Sequence, residues 1–409
     1  MAGDEARAVG ERFLAELQRA AWQANPPPPD STLAQSVETR RLLRQRIAAD
    51  PSFAEEFRAR FRDRGEAEQA QAEAFLKAGE YEDPWAYRVV RGAATDVERA
   101  MSELGRRVPT AVIVGTARTR LVNAVAYAPD PSTGGAYVVV IDGGMLPFLA
   151  DLALLLARLL PAGREGETTR LSMRPEAVRA HLDANDELVE RTADDAARFV
   201  AGEYPLEQLL GSDGPTGDVR RFANMLYHLM TVFVVGHEYA HVHMGHLAGD
   251  PGGARPAAEA KRWPNAITYD WFLEAEADGG GVEVALHTTR RYAIHPSIGF
   301  LACQLYFAGV QILGLGEAIA RTGSVDRAAD EVSRLEEAAL ERPNEVAPYV
   351  SHPPPLLRRR AIRTMLRAST SPETFETLVS GSREFDGAFA EILGRLAPAL
   401  ERRLVNSTT

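Results

Sequence analysis

Apolar positions recur at helical spacing through most of this chain, and at strand spacing only in one short stretch. Residues 3–22 follow the helical pattern and stop at Asn25 and the run Pro26–Pro29, which cannot continue a helix. Ser31 suits the start of a helix to about residue 48, Pro51 opens another toward Arg62, and the Ala-, Glu- and Gln-rich residues 65–78 suit a third. Asp83-Pro84 reads as a turn, with an amphipathic helix at 93–106. The period then changes. Ala111–Val114, Asn123–Tyr127 and Tyr137–Ile141 read as strands, separated by the turn-forming Asp130–Gly135. A helix at 146–160 follows.

Residues 161–219 are polar and read as a peripheral segment around a helix near 175–190. The chain turns strongly apolar and helical from Arg220 to His246, loops at 250–256, and resumes a helix at 266–286 that the glycines at 279–281 could end. Helices at 298–320, 356–367, 372–380 and 384–404 complete the pattern. The fold class implied is α+β and mostly helical, with a small sheet. The organisation expected is a helical region at 1–108, a central domain at 109–367 and a helical tail at 368–409.

Composition narrows the function classes. The 409 residues carry 46 Lys+Arg against 57 Asp+Glu, a formal charge of −11, so a nucleic-acid partner is not expected. Cys303 is the only cysteine, which removes an internal disulfide and any cysteine-based zinc site. The N-terminus lacks the apolar core of a signal peptide. The apolar stretch 298–320 includes Gln304, Gln311 and Glu317, which favours a buried helix over a membrane span. Cytoplasmic residence without stable membrane insertion is the expectation.

The chemistry gathers at His237-Glu238-Tyr239-Ala240-His241. Histidines four apart on a helix differ by about 40° in direction, so both can reach one metal ion. Glu238 sits beside the first histidine and off its axis, placed to touch a metal-bound water. His243 points away from the pair. His246 would lie on the far side of a continued helix and reads as a helix-end residue. The third ligand is sought in Glu274-Ala275-Glu276-Ala277-Asp278. Glu274 and Asp278 share a face: Glu274 can complete a His₂Glu set, and Asp278 can orient a ligand histidine. Glu276 competes for the ligand role, but Gly280 stands where its acidic partner would be.

This layout resembles the Ste24/HtpX-like (M48-class) gluzincin zinc metallopeptidases. Asn123-Ala124-Val125-Ala126 resembles that family's edge-strand segment, His237–His241 its HExxH, and Glu274–Asp278 its ExxAD segment. His246 matches a further histidine often seen there. Ser351-His352-Pro353-Pro354, with Arg358 six residues after His352, resembles its late motif. The resemblance spans about residues 109–367. It implies a zincin-like core and a zinc ion held by His237, His241 and Glu274. Glu238 would be the general base, and His352 and Arg358 would line the site. Asn123, Ala124 and Val125 would bind an extended peptide. Many relatives carry transmembrane helices, whereas the N-terminal helices and residues 161–219 are extra here. The expected function is a zinc-dependent endopeptidase acting on a peptide or protein. The competing readings are an inactive zinc-binding sensor or scaffold and, from residues 1–108, a helical adaptor.

Overall fold

The computed structural model describes residues 2–27, 29, 31–62, 64–106, 108, 111–129, 136–165, 168–203, 217–247, 266–341 and 352–406. The turn at 130–135, the loop at 250–256 and Ser351 lie outside them. The chain divides into two compact units: Met1–Leu146 with Val242–Ala248, and Pro147–His241 with Gly249–Thr409.

Helices α1 (Ala2–Ala24), α2 (Thr32–Ala49), α3 (Ser52–Ala59), α4 (Glu66–Lys77) and α5 (Pro84–Glu103) build the first unit with strands β1 (Val112–Ala117), β2 (Ala124–Tyr127) and β3 (Tyr137–Asp142). Asp83-Pro84 starts a helix where the sequence suggested a turn. The Asp83 carboxylate accepts from the Ala86 amide, and Pro84 occupies the first turn, where its missing N–H costs nothing.

The sheet is mixed, in the order β1-β3-β2: β1 pairs with β3 in parallel from Val112↔Tyr137 to Ala117↔Asp142, and β2 pairs with it antiparallel. Strand β2 is therefore an edge. Ile113, Val138 and Val140 pack against Phe13, Leu14 and Leu17 of α1. Gly115 makes room for Leu14, whose Cδ2 would lie 2.6 Å from an added Cβ. Buried Glu82 accepts from the Thr116 amide (2.7 Å) and hydroxyl (3.1 Å), and burial raises its pKa despite those bonds.

Helix α6 (Met145–Leu159) leads into the second unit, which holds the hairpin β4 (Ala162–Glu165) and β5 (Thr168–Leu171) and helices α7 (Pro175–Asp183), α8 (Asp186–Val200), α9 (Gly217–His243), α10 (Ala266–Arg291), α11 (Pro296–Thr322), α12 (Val325–Glu341), α13 (Pro355–Ser369) and α14 (Pro372–Asn406). Helix α11 is the hub, packing on α8, α10, α12, α13 and α14. Its length and composition would suit a membrane span, yet 67% of its most apolar window is buried inside the protein. His295 caps it by accepting from the Ser297 amide, and Gly323 ends it at φ 68°.

Three features depart from the sequence reading. Helix α8 packs on α11 and α14 through Val189, Ala193, Ala196 and Phe199, an apolar face built mostly of small residues in a segment that reads as polar and peripheral. The tail is one 35-residue helix where two were expected. Helix α10 continues through its three glycines, and Gly279 and Gly281 serve packing. A Cβ at Gly281 would meet the Phe233 carbonyl oxygen at 2.9 Å and the His237 amide nitrogen at 3.1 Å. Gly236 faces it from α9, where an added Cβ would stand 3.4 Å from the Gly281 Cα. The two backbones approach this closely one residue before the HExxH sequence begins its turn.

Gly281→Ala should therefore lower stability by about 1–2 kcal/mol, since overpacking against backbone outweighs the roughly 1 kcal/mol gain in helix propensity. Gly314→Ala is the matched control: Gly314 is exposed in α11 with nothing within 4 Å of its Cβ position, and about 0.5–1 kcal/mol of stabilisation is expected. Urea unfolding of both variants measures the difference. A Gly281→Ala protein as stable as the control would show that the two helices can part freely.

Candidate metal centre

Three elements of the second unit bring the site together. Helix α9 supplies His237, Glu238 and His241; α10 supplies Glu274 and Asp278; α13 supplies Arg358, with His352 preceding it. His237 Nε2 and His241 Nε2 stand 3.1 Å apart. Glu274 Oε2 is 3.5 Å from the first and Oε1 is 3.4 Å from the second. Among the described residues, His237, His241 and Glu274 form a group whose donor atoms converge closely enough for one metal ion. Tetrahedral donors about 2.0–2.1 Å from a zinc ion would be about 3.3–3.4 Å apart, the scale of these separations, in which each Glu274 oxygen approaches one histidine.

Two further observations bear on the fit. Among the described residues Glu274 Oε2 is buried without a hydrogen-bond donor, Arg358 Nη2 and His352 Nε2 standing off at 3.6 and 3.7 Å. A bound cation would satisfy it. Arg358 pairs with Asp278 and approaches Glu274, so carboxylates outnumber the one guanidinium in these contacts. The residues present fit a divalent metal.

Asp278 and Arg358 hold the arrangement. Asp278 is fully buried. Its carboxylate accepts Arg358 Nε at 2.7 Å and Nη2 at 2.6 Å, a bidentate fork. Its Oδ1 also lies 2.9 Å from His237 Nδ1, close enough to favour a ring proton on that side and the Nε2 lone pair toward His241 and Glu274, although the two atoms do not close an aligned hydrogen bond. Arg358 also lies over the Phe307 ring, 5.0 Å from its centroid. Glu238 is 5% exposed, with Oε1 4.0 Å from His237 Nε2, within one water of the point where the donors converge.

Burial opposes the charged forms of Asp278, Glu274 and His237 and is overruled at each, whereas at His352 it prevails and lowers the pKa. It would raise the pKa of Asp278, but the Arg358 cation and its hydrogen bonds hold it below the usual carboxylate range. Burial would likewise raise Glu274, and the hydrogen bond from His241 with the charges of His237, Arg358 and His352 holds it far below. For His237, burial favours the neutral ring, while Asp278, Glu274 and Glu238 raise its pKa.

Of the residues expected from the sequence, His237, Glu238, His241, Glu274, Asp278, Arg358 and His352 gather here. The group is completed by Glu274 and not by Glu276. His352 sits at the rim, its side chain 46% exposed. Asn123 precedes β2, which carries Ala124 and Val125; they belong to the first unit, as does His246. Sequence reasoning missed Tyr306 of α11. Its phenol is pushed up to about 12, first by burial and then by Asp278, Glu238 and Glu274 against the opposing charge of Arg358, so it stays a neutral O–H donor beside the cluster. An apolar helix with a lone tyrosine gives no signal of that neighbourhood.

No protein-family model, curated protein or solved structure matches this chain.

The purified protein should bind one zinc ion, and elemental analysis should find less than stoichiometric metal in each of His237→Ala, His241→Ala and Glu274→Ala. Full zinc in all three would overturn the ligand set. Removing the cation at Arg358→Ala leaves Asp278 buried and uncompensated, at a cost of about 3–5 kcal/mol in unfolding free energy.

The pH dependence of the metal-free protein follows from His237. A raised folded pKa contributes stability that is complete below the unfolded value of about 6.5 and is lost as pH rises through the folded value. The metal needs neutral imidazoles. Melting temperatures without metal should therefore fall as pH rises from 6 toward 9, while the increment added by zinc grows. A zinc increment that shrinks over that range would contradict this reading.

Proposed function

We propose that the protein is a zinc-dependent endopeptidase of the gluzincin type, with a zincin-like core built on α9 and α10. The observation that carries this reading is the convergence of His237, His241 and Glu274 with Glu238 one water away. The resemblance of the His352 and Arg358 segment to the late motif of the HtpX-like peptidases supports it, since both residues border the same cluster. Cytoplasmic residence and a peptide or protein substrate belong to the same proposal, with no role for nucleic acid.

Zinc bound by the two histidines and Glu274 would supply a Lewis acid and a water of lowered pKa. Glu238 accepts the proton of the attacking water and delivers it to the departing amine. The geometry suits that task, because Glu238 follows a ligand directly yet is not in the donor group. His352 stands at the open side of Glu274 and can donate Nε2–H to the carbonyl oxygen as charge develops on it. Asp278 fixes the His237 ring, and Arg358 fixes Asp278, so neither needs to touch substrate. Among the described residues β2 is an edge of the first unit's sheet, the kind of strand to which an extended peptide can add.

Glu238→Gln separates enzyme from inert zinc protein. It keeps size and most hydrogen bonding but removes the base. We expect it to retain zinc and fold while peptide hydrolysis falls about 10²–10⁴-fold, read by mass spectrometry on a peptide library. Equal cleavage by zinc-loaded wild type and Glu238→Gln would defeat the mechanism. Asp278→Asn should cost roughly 10–100-fold in metal affinity or rate, because it acts through His237.

A further inference from the structure

Helix α13 carries five arginines and no acidic residue. Successive residues turn by about 100°, so the five spread over more than one face of the helix. Arg358 goes to Asp278. Arg359 bonds the Gln304 side-chain oxygen at 3.0 Å and pairs with Asp386 of α14. Arg363 also reaches α14, at Ser382 Oγ (2.5 Å) and Asp386 Oδ2 (2.6 Å). Arg360 and Arg367 lie seven residues apart, on one face, and neither makes an ion pair among the described residues. Glu336 of α12 feels the charge of Arg360 without closing on it.

That face borders a groove. Arg360, Arg363, Thr364 and Arg367 form one wall, Arg383 of α14 another, and Phe375 and Val379 the apolar floor. It encloses about 420 Å³, room for a small organic ligand and not merely for single waters. The Arg367 guanidinium rests 4.8 Å from the centre of the Phe375 ring. Asp386 is shared by Arg359 and Arg363, and Glu376 pairs with Arg383 at 3.0 Å. Among the described residues at least the two positive charges of Arg360 and Arg367 remain over an aromatic floor, in a chain of net charge −11. The Arg363 Nε–H, in the same wall, is buried without an acceptor.

We propose that this groove binds an organic phosphate monoester. A phosphate monoester carries about −1.5 to −2 charges at neutral pH and matches the two uncompensated guanidinium groups, whereas a carboxylate would balance only one. Arginine forks suit its oxygens in bidentate fashion, and the body of the ligand rests on Phe375 and Val379. The phosphate belongs either to a free phosphomonoester or to the headgroup of a phosphatidic acid; the chemistry recognised is the same.

Calorimetric titration of the full chain with phenyl phosphate, inorganic phosphate and benzoate tests this. Phenyl phosphate should bind at one site per chain and more tightly than either of the others. Arg360→Gln/Arg367→Gln should weaken it by at least about tenfold while leaving melting temperature and zinc content unchanged, since both side chains are exposed and neither touches the histidine cluster. That readout keeps the outcome separate from the fate of the metal reading. Co-sedimentation with phosphatidylcholine vesicles containing phosphatidic acid forms the second arm: capture lost in the double variant assigns the headgroup, and phenyl phosphate binding without capture assigns a soluble ligand. Equal binding by wild type and double variant, or no saturable binding in either arm, overturns the proposal.

Discussion

The fork between Arg358 and Asp278 is the constraint on which the rest of the site depends. A carboxylate with no solvent exposure survives as an anion only because a guanidinium meets both of its oxygens. Once it is an anion, it can hold the His237 ring in one orientation. Once that ring is held, its Nε2 faces His241 and Glu274. Three helices far apart in sequence are thereby tied through one carboxylate. Such a pair adds little net stability compared with well-packed apolar groups, because two desolvated charges have to be offset first. What it supplies is geometry: a tautomer and a direction that apolar packing would leave open.

Backbone proximity is the complementary requirement. Short side chains such as Glu274 and Asp278 reach the histidines only if α9 and α10 nearly touch. Gly236 and Gly281 permit that contact at the level of the main chain. The negative excess around the histidines is then tolerated because Arg358 offsets part of it and a dication can balance the remainder. Packing thus sets where the donors stand, and electrostatics sets which ions they accept.

Much of this was legible in the sequence, for reasons tied to period. His237 with His241, and Glu274 with Asp278, are pairs at i and i+4, and helical geometry alone puts each pair on one face. A pairing of Arg358 with a carboxylate of the site was an open alternative, but which carboxylate was not legible, because it lies 80 residues away and no local period encodes such a contact. The glycines at 279–281 looked like a helix end, since propensity is a local property and the neighbouring backbone of α9 is not. Asp83-Pro84 carries the same signature at a turn as at a helix start. Strand spacing located β1, β2 and β3 but could not order them: β3 takes the centre only because the apolar residues on both its faces find cover, as Val138, Val139, Val140 and Ile141 all do.

The crowding of cations on α13 has a bearing on the order in which the molecule is assembled. Five like charges within fifteen residues repel one another, and without neutralising partners this helix is a poor one. Those partners come from both directions, Asp278 before it in the chain and Asp386 after it. A nascent chain that has emerged only as far as Glu341 already contains His237, His241 and Glu274 but lacks the arginine that keeps Asp278 charged. The donors are therefore made early and aligned late. Their alignment waits on a segment translated more than a hundred residues after the first histidine, and that segment is itself settled by the long helix that follows it.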